Sequence, residues 1–225
     1  MKISLSTSEL KEFIGRQLEA FFPDKYLFRG KDIDTSMNLA LERVEYCFKH
    51  VAYNTYHVDS ETYFSHLNSD QYSQFLYFFS NSLWTNSQNK PICDKLILLN
   101  KMLNGMFVTY KCCLPAIFLF IHPVGTVIGN AIYDNYLVFE SNVTINTTKD
   151  GINTPKIGKG VFFSTGATII GDKIIGDRSS IGARTLIFNK EVPQDSIALT
   201  REDGSLNIIK RKKPCMAQFF FNVPI

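Results

Sequence analysis

The chain has 225 residues, 45% of them apolar and 20% charged, which excludes a disordered polymer and fits one large or two small folded units. A net charge of +3 from 24 basic and 21 acidic residues is too balanced to indicate a nucleic-acid or acidic-membrane partner. Five cysteines, Cys47, Cys93, Cys112, Cys113 and Cys215, show no C-x-x-C spacing. They indicate neither a disulfide framework nor a metal site and fit a reducing, cytoplasmic setting.

The N-terminal half reads as helices. Ser6-Thr7-Ser8-Glu9 is a capping-box pattern, and Leu10, Phe13, Ile14, Leu18 and Phe21 follow at helical spacing until Pro23. Met37, Leu41, Val44, Phe48 and Val51 line one face of a second helix. Further helices are expected around Gln71 to Trp84 and Asp94 to Leu103, with Gly105 placed to stop the last. Met1 to Leu10 lacks the apolar core of a secretory signal. The most apolar run, Cys112 to Ile121, is about half the ~20 residues of a membrane span.

From Ile121 the period changes. Large apolar residues recur every six positions at Ile121, Val127, Tyr133, Phe139 and Ile145, then Ile157, Phe163, Ile169, Ile175, Ile181 and Ile187, with Gly151 the one break. Small or β-branched residues stand four places later, as at Gly125, Ala131, Val143, Val161, Ala167, Ser179 and Thr185. A six-residue period belongs to the hexapeptide β-helix, in which three hexads make one triangular coil and coils must stack to bury their faces. The polar stretch Asn146 to Pro155 is expected to loop out. The fold class expected is α+β: a helical domain over 1–113, a left-handed parallel β-helix over 114–200 and a tail over 201–225.

Three segments, Ile121-His122-Pro123, Val143-Thr144-Ile145-Asn146 and Pro155-Lys156-Ile157-Gly158-Lys159-Gly160-Val161, resemble the serine acetyltransferase branch of the hexapeptide acyltransferases, over roughly Ile92 to Leu199. The resemblance implies a homotrimer with acetyl-CoA bound between neighbouring β-helices and a histidine that deprotonates an acceptor hydroxyl; the helical half is expected to offer trimer-to-trimer contacts, as in a dimer of trimers. The family's Asp-His pair falls on Asp134-Asn135, and a second histidine, in a His-Pro-Lys-Ile context, falls on Thr154. Both histidines of a serine site are therefore absent, and a sugar or polysaccharide-precursor hydroxyl is the expected acceptor. The alternatives are a divergent serine O-acetyltransferase, to which the C-terminal Ile225 is a pointer, and a non-catalytic scaffold.

Acyl transfer to a hydroxyl needs a base near neutral pKa. Of four histidines only His122 lies in the repeat region, so it is the candidate base. Glu140, 18 residues later, is expected one coil on as its orienting carboxylate, and Asp134 is the next candidate. Asn135 and Asn142 are the candidates for holding the acceptor. Thr165, Gly166, Ala167, Ala183 and Arg184 match the segments that line the family's CoA groove, and Lys210 of the basic run Lys210 to Lys213 is a candidate for CoA phosphates. Ile128, Val138 and Ile170 are expected to face outward at the trimer contact.

Overall fold

The computed structural model describes residues 1–148 and 153–225. Helix α1, Thr7–Phe21, starts at Ser6, whose side chain caps Glu9 N–H while the Glu9 carboxylate takes the Ser6 N–H. Its buried side is Leu10, Ile14 and Leu18, one turn apart. Helix α2, Lys31–Phe48, buries Ile33, Met37, Ala40, Val44 and Phe48 in the same manner. Helix α3, Ser69–Ser87, is capped by Asn68 and buried along nearly its whole length. Helix α4, Lys90–Asn104, begins with Asn89 and Pro91 and ends at Gly105 in the left-handed conformation, as its sequence implied.

Three parallel sheets follow. The first stacks Phe118–Phe120, Leu137–Phe139, Phe162–Phe163, Ser180–Ile181 and Ser196–Thr200, with Leu206–Lys210 added antiparallel. The second stacks Phe107–Val108, Val127–Ile128, Thr144–Asn146, Thr168–Ile170 and Leu186–Phe188. The third stacks Ile132–Tyr133, Lys156–Ile157 and Ile174–Ile175. Successive visits of the chain to the three sheets make a parallel β-helix, so the protein combines helices with a β-helix. The six-residue ladder forms its interior: Phe139, Ile145, Ile157, Phe163, Ile169, Ile175, Ile181 and Ile187 are buried. Phe139 and Phe163 stack face to face, 5.2 Å between centroids.

The first coil departs from the expected phase. Phe120 pairs with Phe139, 19 residues on, and Ile128 with Ile145, 17 residues on. Phe120 and Ile128 are therefore the core residues, while Ile121 is half-buried and Val127 exposed. The cause is an enlarged bend: between the Ile121 and Gly125 levels lie His122, Pro123 and Val124, where the next coil has only Ser141 between Glu140 and Asn142. Later pairs across the Asn146 to Pro155 stretch are 24 apart, as in Ile145 with Ile169, and then return to 18. Six residues are thus added there, of which 149–152, including the expected phase break at Gly151, lie outside the described residues.

The helices cover the open end of this β-helix. Gln74 Nε2 and the Cys47 thiol both donate to Phe118 O, satisfying the outermost strand. One buried core runs from Leu10 to Phe221, without a gap at residue 113. Residues 215–222 fold back onto the helices. Cys215, Ala217 and Phe221 are buried, Phe220 O accepts the Ala52 N–H, and His50 O accepts the Asn222 N–H. Phe220 also packs on Phe162 and Tyr53. These layers cover the outer side of the first sheet, so Val138 is buried rather than available to a neighbouring subunit. Ile128 is likewise buried, in the core.

Candidate active site at the corner of the first and second sheets

At this corner five residues in the left-handed region stack from coil to coil: Gly105, Gly125, Asn142, Gly166 and Arg184. Each level is tied to the one before by a backbone bond, as from Asn142 N to Val124 O, Gly166 N to Ser141 O and Arg184 N to Thr165 O. Gly125 has φ of +76°, and a β-carbon there would displace the Asn142 amide, so glycine is the least strained residue at this level.

The corner collects most of the expected site residues. His122 projects from the enlarged bend, itself at a left-handed φ of 47°, with its side chain 83% exposed. Glu140 and Asn142 follow on the next coil, then Thr165 and Gly166, then Ala183 and Arg184. Ala167 is buried just inside. Asp134 and Asn135 lie elsewhere, across the Leu137–Phe139 strand at the opposite corner, where Asp134 Oδ1 accepts the Asn135 N–H and Asn135 Oδ1 accepts the Ile117 N–H. Lys210 is also remote. It pairs with Ser196, at the far end of the Ser196–Thr200 strand, roughly 13 Å along at ~3.3 Å per residue.

Glu140 does not face His122. Its carboxylate accepts the Thr165 N–H at 2.8 Å and the Thr165 hydroxyl at 3.1 Å. The enlarged bend explains this, because the residue level with Glu140 is Ile121, not His122. The group that does meet His122 is Asp70, in the first turn of α3. Asp70 Oδ1 accepts the His122 backbone N–H at 3.0 Å, and Oδ2 stands 3.4 Å from His122 Nδ1. Burial raises the Asp70 carboxyl above its usual range, while the neighbouring His122 acts the other way. Tyr53, in the turn after α2, lies within the field of the Glu140 carboxylate. Burial raises its hydroxyl, and the Glu140 charge adds to the shift. Neither Asp70 nor Tyr53 carries a motif, so spacing within the repeat had no means of finding them.

Thr165 and Ala183 stand two residues beyond the paired Phe163 and Ile181, so they lie side by side on adjacent coils. Both are exposed and short, and exposed Arg184 follows. Its guanidinium has no hydrogen bond or ion pair among the described residues. A narrow acyl-CoA arm fits such a shelf, and Arg184 suits a phosphate. His122 Nε2 also lacks a protein partner among the described residues, which leaves a nitrogen able to take a proton at an open corner.

No family model matches the chain. A curated relative, the serine acetyltransferase of Synechococcus elongatus, is 28% identical over 116 residues, covering 50% of this chain and 47% of that protein; the chain thus spans about half the length of the curated relative it matches. Among solved structures, serine acetyltransferase from Brucella abortus superposes with a TM-score of 0.68 at 17% identity, over 92% of this chain and 86% of the other. A serine acetyltransferase in complex with CoA gives 0.55 at 18% identity, over 86% and 73%. With its three stacked parallel sheets and hexapeptide ladder, the chain shares the fold of these serine acetyltransferases, and half of its length is similar in sequence to one of them.

Proposed function

We propose that this protein transfers an acetyl group from acetyl-CoA to the hydroxyl of a small acceptor, with His122 as general base. The observation that carries the proposal is the open His122 imidazole on the corner shared with Thr165, Ala183 and Arg184. In the step proposed, Nε2 takes the hydroxyl proton as the acceptor oxygen bonds to the acetyl carbon. The carbon–sulfur bond breaks, and the imidazolium returns the proton to the leaving sulfur. Acetyl-CoA supplies the activated thioester.

The relatives are named as serine acetyltransferases, which supports L-serine as acceptor over the sugar expected from sequence alone. The sugar reading keeps one observation in its favour: Asn135 and Thr154 stand where the family's two histidines fall. A homotrimer is part of the proposal. Ile128 and Val138 are buried within one chain, but Leu186 and Phe188 on the second sheet and Ile132 and Ile174 on the third are exposed apolar residues suited to contacts between β-helices. Light scattering that gave a monomer mass at micromolar concentration would overturn the assembly.

The activity is tested by following thiol release from acetyl-CoA with L-serine or with a panel of sugars. Release with serine is expected, and its loss by on the order of 10²-fold in a folded His122→Ala protein. Absence of release with every hydroxyl acceptor, or wild-type turnover in His122→Ala, would overturn the proposal.

A further inference from the structure

His122 is held at two points by one carboxylate that does not belong to the β-helix. The backbone N–H contact with Asp70 Oδ1 supports a left-handed conformation that a residue bearing a β-carbon adopts at a cost. The second oxygen, 3.4 Å from Nδ1, is placed to receive an Nδ1–H and to face an imidazolium. Asp70 has only 12% of its side chain exposed, and it sits in the first turn of α3, where the helix dipole favours a carboxylate. Asn68 Oδ1 accepts the Asp70 N–H and fixes that turn. The other groups around the pair are accounted for: the Ser69 hydroxyl donates to Asp70 Oδ1, Glu140 is engaged with Thr165, and the Tyr56 hydroxyl lies buried beside Asp70.

We propose that Asp70 is the positioning residue of the active site, holding His122 with its proton on Nδ1 so that Nε2 faces the acceptor as the base. This rests on the acyl-transfer reading above for its chemical purpose, and it makes the helical half part of the machinery: the base belongs to the β-helix and its orienting carboxylate to α3. Asp70 would then face the imidazolium formed as Nε2 takes the acceptor proton, as an orienting carboxylate does.

Asp70→Asn is the informative variant, because its amide oxygen still accepts the His122 N–H and preserves the bend, whereas Asp70→Ala removes both contacts. The His122 tautomer is read from its ring-nitrogen shifts by NMR, with the resonances assigned by their loss in His122→Ala. The proton is expected on Nδ1 in the unaltered protein and is expected to move toward Nε2 in Asp70→Asn, whose side-chain amide can donate where the carboxylate only accepts, with the melting temperature near that of the unaltered protein. Turnover is expected to fall on the order of 10²-fold or more, with the KM for acetyl-CoA little changed. An unchanged tautomer in folded Asp70→Asn would overturn the assignment. The NMR measurement needs no acceptor: a changed tautomer in a protein that transfers no acetyl group would sink the acyl-transfer reading and leave the pairing standing. Turnover that depends on His122 but not on Asp70 would do the reverse.

Discussion

The carboxylate of Glu140 spans two coils to take both the N–H and the hydroxyl of Thr165, and so braces the corner on which the proposed acetyl-CoA shelf is built. Hydrogen bonds to a charged group contribute roughly 1.5–3 kcal/mol each when sheltered, and less at a half-exposed site such as this. Glu140→Ala is expected to lower the melting temperature by about 2–4 °C, the shift of about 1 kcal/mol in a chain of this size, and to weaken CoA binding. Glu140→Gln retains an acceptor and should lose less. The His122 tautomer should be insensitive to either change, which separates a brace from an orienting group.

Gly166 has φ of +76°, and a β-carbon there would stand 3.3 Å from Arg184 Cγ. Gly166→Val is expected to cost about 1–2 kcal/mol from the left-handed backbone and to reduce CoA affinity measured by calorimetry. Gly166→Asn should be milder, since Asn142 occupies the same level of the previous coil at φ of 57°. Equal losses for the two variants would show that backbone conformation is not what governs the position.

The thiols of Cys47, Cys93 and Cys112 are each pushed up to about 12 by burial, and Cys215 is buried, while Cys113 is exposed. Since the thiolate is the reactive form, brief alkylation of the native protein at pH 8 should modify Cys113 alone. Mass spectrometry after denaturation should then find all five labelled. Native labelling at Cys47 would indicate that the helical cap over Phe118 opens readily.

Asp195 is held down at about 2 by hydrogen bonding from Arg178, with Arg211 adding to it; Arg178 makes a two-pronged contact, both bonds 2.9 Å. An acid depressed in the folded state stabilises at pH above its unfolded value of ~3.9 and loses that stabilisation as pH falls toward 2. Melting temperature should therefore decline across pH 4 to 2. In Arg178→Ala the decline should be shallower, because less of the stabilisation remains to be titrated.

The hexapeptide ladder was legible because each core position from Phe139 onward answers to one steric requirement repeated down the axis. The first coil was not, because the bend at His122 adds residues without altering composition, and an apolar neighbour, Ile121 beside Phe120 or Val127 beside Ile128, hides a slip of one place. That slip misassigned the partner of His122. An 18-residue offset pointed to Glu140, whereas the chain pairs Phe120 with Phe139 over 19. Asp70 lies 52 residues before His122 on a helix whose packing no local pattern encodes. Lys210 lies away from this corner for a related reason: the antiparallel return of Leu206–Lys210 carries the basic run to the opposite end of the Ser196–Thr200 strand.

The seam between residues 215–222 and the end of α2 bears on the order in which the molecule assembles. Asn222 Nδ2 bonds Lys49 O across 173 residues of sequence, a loop whose closure from an open chain is entropically expensive. Once the coils have stacked, the same ends are already near each other and little of that entropy is left to lose. The seam is therefore expected to zip last, after helices and coils, and as a short two-ended contact to open ahead of global unfolding. The Ala52 amide, which it covers, would exchange with solvent sooner than the strand amides of Phe139 or Ile169.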